Sequence, residues 1–108
     1  MLRGFFVYGR GEIMFNNQRY VTRGITNTVP LVTQIILWDC IDSMKVERKD
    51  YLQIFKLIAN GTNQQVTHSQ EEPSYERTFT FPTDEPITAK IFVIDDETHS
   101  TMLLAEEY

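Results

Sequence analysis

From Tyr51 to Ala105 the chain reads as strand after strand, and only one earlier stretch can supply a long helix. That combination constrains the fold more than any other feature. Tyr51–Ile58 is rich in aromatic and aliphatic residues, and Asn60-Gly61 follows as a turn signal into a polar strand at Gln64–Gln70. Pro73 punctuates. Tyr75, Arg77, Phe79 and Phe81 then alternate with Glu76, Thr78 and Thr80, the period of a half-buried strand. Pro82 and Pro86 bracket a loop, Ile87–Ile94 is a further strand, Asp95-Asp96-Glu97 is a turn, and Thr98–Ala105 is the last strand. Before all of these, Tyr20–Arg23 is β-branched and aromatic and is bounded by Gly24, so it too reads as a strand.

Between the first strand and the rest, residues Val29–Glu47 favour a helix. Thr28 suits an N-cap, Pro30 is tolerated in a first turn, and Lys45, Arg48 and Lys49 gather where a helix C-terminus favours cations. One strand, one helix and an antiparallel meander make an α+β, two-layer architecture: a single helix packed on one face of a sheet of about five to six strands.

The helix carries more apolar surface than such a fold can use. On a wheel of about 100° per residue, Leu37, Cys40, Ile41 and Met44 share one broad face, with Ile36 at its edge. Leu31, Ile35 and Trp38 lie roughly opposite. Either neighbouring chain covers this second face, or it is a contact surface for a protein partner or a second copy, with Trp38 as its anchor.

At 108 residues there is room for one domain, able to bury a working core without staples. Cys40 is the only cysteine, so no internal disulfide is possible, and a lone thiol fits the cytosol better than a secreted scaffold. No apolar run approaches the ~20 residues of a membrane span. The net charge of −5 is uneven. Residues 71–108 carry ten acids against Arg77 and Lys90, while residues 1–25 carry four arginines against Glu12. The acidic last third argues against direct nucleic-acid binding and against an anionic membrane surface.

Chemistry-bearing residues are sparse. Cys40 with His68 or His99 has the residue types of a thiol nucleophile pair, but Cys40 sits mid-helix among Trp38 and Ile41, where a small core residue is expected. Asp95, Asp96, Glu97 and His99 are the densest polar cluster, and their spacing matches no known metal loop; a hairpin turn explains them. No phosphate-cradling glycine loop occurs. No catalytic residue, metal site or cofactor is therefore expected.

Residues 1–13, MLRGFFVYGRGEI, have no clean period. Arg10-Gly11-Glu12-Ile13 can be encoded by a purine-rich ribosome-binding sequence a short spacer ahead of Met14, which makes these residues a translated leader or extension; the alternative is a real strand at FFVY. The domain proper is then 14–108.

RYVTRGI from Arg19, LWDCID, DYLQIF, DEPITAKIFVIDD and the closing STMLLAEEY resemble an uncharacterised family of low-GC Gram-positive bacteria, their phages and mobile elements, known as domain of unknown function 960. The likeness covers residues 14–108, most specifically the last twenty-five, and stops short of 1–13. It brings no activity, cofactor or catalytic residue to carry over. It implies a bacterial cytosolic protein, accessory to a phage or mobile element. With the residues themselves, this gives the expectation of a small acidic, cytoplasmic, non-catalytic protein-interaction module that binds a protein partner or self-associates as a dimer. The competing expectation is a small metal-dependent or thiol enzyme built on the acidic turn or on Cys40.

Overall fold

The computed structural model describes residues 14–108, and the leader or FFVY strand expected at 1–13 lies outside them. One six-stranded sheet runs through the described chain. Its strands are β1 (Gln18–Val21), β2 (Leu52–Asn60), β3 (Asn63–Gln70), β4 (Tyr75–Pro82), β5 (Ala89–Asp95) and β6 (His99–Leu104). Their spatial order is β1-β6-β5-β2-β3-β4.

This is not the simple meander that the punctuation predicts. β2, β3 and β4 follow one another as hairpins, but β5 returns to pair antiparallel with β2 on its far side. The strands β5-β2-β3-β4 thus form a Greek key. β1 pairs parallel with β6, so the sheet is mixed. Turn residues mark where a strand stops, not which neighbour the next one chooses. The long return is held by a buried glutamine: the Gln64 Oε1 accepts from the Ile87 amide at 2.8 Å, and its Nε2 donates to the Ile87 carbonyl at 2.8 Å.

The expected single helix is also two. Thr22 caps α1 (Arg23–Thr28), its hydroxyl accepting from the Ile25 amide at 3.3 Å. Arg23 therefore opens a helix instead of ending a strand. Val29 is extended, with φ −107° and ψ 121°. Pro30 forces that break, because its ring excludes helical backbone from the residue before it. Pro30 in turn is the N-cap of α2 (Leu31–Asp42). The Gln34 amide reaches back across the break to the Val29 carbonyl at 2.9 Å. α2 stops at Ser43, so Lys45, Arg48 and Lys49 lie beyond its end instead of in its last turn.

Both helices pack on one face of the sheet. Ile25 from α1 and Leu37, Cys40 and Ile41 from α2 join Phe55, Leu57, Ile91, Val93 and Met102 in the core. Burial of each such side chain contributes on the order of 1.5–3 kcal/mol before entropy is counted. Phe15 enters the same cluster at 1 % exposure despite a left-handed backbone, φ 65°. Its amide is held by Asp95 Oδ2 at 2.7 Å, which offsets that strain.

Candidate interaction surface

α2 is apolar nearly all round, and the sheet takes only one side of it. Thr33, Gln34, Leu37, Cys40 and Ile41 are buried, with Met44 just past the helix end. Leu31 and Ile35 point away and are 69 % and 57 % exposed. Val32, which the wheel reading left out, extends the same stripe on the Ile35 side at 60 %. A signal for it existed: at about 100° per residue Val32 falls within about 60° of Ile35 and away from Leu37, Cys40 and Ile41.

Trp38 sits differently from Leu31 and Ile35. It is half-buried and packs against the core cluster. The Arg19 guanidinium lies 4.7 Å from the centre of its ring. Arg19 is itself fixed, donating to Asp42 Oδ2 at 3.2 Å and to the Phe15 carbonyl at 2.9 Å. Strand β1 therefore lays a clamped cation over the indole, and Trp38 is covered in part by its own chain. The exposed stripe is Leu31, Val32 and Ile35, with Trp38 at its inner border.

Cys40 and His68 are absorbed into structure, while His99 stays half-exposed beside Asp96 at 3.3 Å. Cys40 is buried, and burial pushes its thiol up to about 11, so it stays protonated and inert at neutral pH. His68 is fully buried, stacked on Phe55 with ring centres 4.3 Å apart, and burial pushes its pKa down to about 4. Its Nε2 lies 2.7 Å from Gln53 Oε1. The Gln53 Nε2 donates to the Asp50 carbonyl and to Gln70 Oε1, which fixes its oxygen as the acceptor and His68 as the Nε2–H tautomer. Gln70 in turn donates to the Pro73 carbonyl at 2.7 Å. This chain of side chains ties the chain entering β2 to the turn between β3 and β4.

The acidic turn is partly misread by sequence. Asp96 and Glu97 are exposed, but Asp95 is 5 % exposed and belongs to β5. Its carboxylate accepts from the Phe15 amide, the Asn17 side chain and the Glu97 amide. It is a brace for the chain leading into β1, which the sequence cannot reveal because that partner is some eighty residues away. Among the described residues no three His, Cys, Asp or Glu side chains converge as a metal ion requires. A cleft of about 310 Å³ lies where α1 meets α2, lined by Thr26–Pro30 with Glu85 and Ile87. Among the described residues no helix is long and apolar enough to cross a membrane.

Comparison with known proteins agrees with this geometry and adds no activity. There is no significant match among curated proteins. A crystal structure of a protein of unknown function from Enterococcus faecalis is similar, with a TM-score of 0.71 and 26 % sequence identity, covering 86 % of this chain and 92 % of that one. The family described as Staphylococcal protein of unknown function (DUF960) matches residues 18–107, nearly all of the described domain, and this chain belongs to it.

Proposed function

We propose that this chain is a small, non-catalytic interaction module of the bacterial cytosol that docks a protein partner, or a second copy of itself, through helix α2. The observation that carries the reading is the contiguous exposure of Leu31, Val32 and Ile35 on the side of α2 away from the sheet. Three branched aliphatics in one and a half turns of helix make a patch that soluble monomers seldom leave bare. Trp38, next to the stripe and pre-set by Arg19, supplies a rigid aromatic border that needs little ordering on contact. Support from chemistry points the same way: the one thiol is buried and protonated, and the one buried imidazole is held neutral between Phe55 and Gln53.

The test is a Val32→Glu/Ile35→Glu variant. Light scattering on the wild type over a wide concentration range, and recovery of a stoichiometric partner from a bacterial lysate, are compared with the same measurements on the variant. Assembly or capture lost in the variant, with an unchanged melting temperature, supports the proposal. A wild type that stays monomeric and captures nothing that the variant does not also capture refutes it.

A further inference from the structure

The sheet has a second face, and it carries a different kind of surface. Register places Leu52, Ile94, Thr101 and Tyr20 in one row across four strands. The next row holds Ile54, Phe92 and Leu103. These side chains alternate with the core residues Phe55, Ile91, Val93 and Met102, so they point away from both helices. Phe92 is the centre of the patch, with the Tyr108 ring edge-on at 5.6 Å.

One row further on, Lys56 stands directly opposite Lys90. Both are exposed. Like charges facing each other across a strand pair destabilise a sheet. Neither has a carboxylate within ion-pair distance among the described residues, where the ion pairs are Arg19–Asp42 and His99–Asp96. The Lys90 ammonium lies 5.6 Å from the Phe92 ring centre, so the cation borders the apolar patch directly. Of the acids within the described strands, Glu76 lies on this face, in the Ile54 row beyond Ser69, and the Asp96 carboxylate reaches His99 at its far edge. An otherwise acidic chain, net −5, has thus kept two opposed cations beside a half-exposed apolar area of the sheet.

We infer that the open face of the sheet, centred on Phe92 and bordered by Lys56 and Lys90, docks an acidic amphipathic polypeptide segment. Apolar side chains of that segment lie on Ile54, Phe92, Ile94 and Leu103, and its carboxylates relieve the opposed lysines. Charge complementarity selects this occupant. A second copy brings the same cationic face, and so repels. A nucleic-acid strand needs a row of cations along its backbone, and this face offers two, in a negative molecule. The site is separate from the α2 stripe, which lies on the other side of the sheet.

The experiment uses a fluorescein-labelled eighteen-residue amphipathic peptide with leucines on one face and glutamates on the other, a second peptide with every glutamate replaced by glutamine, and a labelled oligothymidylate. Fluorescence anisotropy is read at low salt with the full chain. The glutamate peptide is expected to bind about three- to tenfold more tightly than the glutamine peptide, an advantage lost in Lys56→Glu/Lys90→Glu and screened by salt. Phe92→Ala is expected to weaken both peptides. Because that substitution also touches packing, the lysine double variant at exposed positions decides the matter. Absence of binding, equal affinity for the two peptides, tighter binding of the oligothymidylate, or self-association abolished by Phe92→Glu each overturns the inference. Val32→Glu/Ile35→Glu is expected to leave peptide affinity unchanged. If that variant alone abolishes peptide binding, the α2 surface stands and the sheet-face site falls.

Discussion

The carboxylate of Glu107 occupies the space that a β-carbon on Gly24 would fill, with Oε2 at 2.5 Å from that position. It accepts from the Thr22 hydroxyl at 2.6 Å, the Gly24 amide at 3.2 Å and the Leu104 amide at 2.8 Å. The end of the chain thereby joins the start of α1 to the end of β6. The hydrogen bond from Thr22, then that from Leu104, holds the Glu107 carboxyl below the ordinary glutamate range. A depressed carboxylate contributes stability that is present above its unfolded pKa and is lost as pH falls through the folded value. Glu107→Gln should lower the melting temperature at neutral pH and leave it less changed in acid, as melts across pH will read. Gly24→Ala should displace the same carboxylate and mimic that loss.

His68 works in the opposite sense. Its folded pKa, about 4, lies below the ordinary 6.5 because burial disfavours the cation and Arg77 adds repulsion. Between those values the unfolded chain binds the extra proton, so stability falls as pH drops from about 6.5 to about 4 and levels off below. The shift corresponds to at most roughly 3 kcal/mol. His68→Gln, which still offers a donor toward Gln53, should flatten the stability profile in that window. An unchanged slope would mean that His68 takes up a proton in the fold without cost.

α2 offers a contrast within one helix. Ile41 is fully buried and Ile35 is 57 % exposed. Ile41→Ala should destabilise by roughly 2–5 kcal/mol, and Ile35→Ala by about 0.5 kcal/mol or less in the isolated chain. Denaturant titrations of the two variants check the burial assignment directly.

Trp38→Ala should cost monomer stability as well as any assembly, because it removes both core contact and the seat of Arg19. Arg19→Lys, which keeps the charge and loses the planar stacking, should weaken the fold measurably less than Trp38→Ala. Equal losses would mean that the stacking of guanidinium on indole, which both variants remove, carries the whole effect.

Gly61 has φ +63° in the two-residue loop between β2 and β3, and no atom of the described residues stands near its missing side chain. Gly61→Ala should therefore cost about 1 kcal/mol through backbone strain alone. A much larger loss in a thermal melt would point to a contact made outside the described residues.

Local chemistry made most of the elements legible. Alternation placed β4, Asn60-Gly61 placed the β2–β3 turn, and the wheel separated Leu37, Cys40 and Ile41 from Leu31 and Ile35. What stayed hidden depends on pairing. Parallel pairing of β1 with β6, the return of β5 to β2, and the buried brace at Asp95 join residues far apart in the chain, and nothing near Gln18 or Asp95 announces the partner. The break at Val29-Pro30 was readable, since a residue before proline leaves the helical region, but Thr28 also looked like a cap and drew the helix start two residues too early. The sheet-face site was invisible for the same reason as the pairing: Lys56 and Lys90 become neighbours only when β2 meets β5.

The parallel strand at the edge also sets an order of events. β1 is the first strand described and β6 is the last, and among the described residues β1 pairs with no other strand. A chain emerging from a ribosome can close the β2–β3–β4 hairpins early, because those contacts are local. β1 must wait. Until β6 is free of the exit tunnel, β1 has no strand to hold the Arg19 guanidinium over Trp38, so the indole waits for its cover. Emergence of β6 is then the step at which the indole gains its cover.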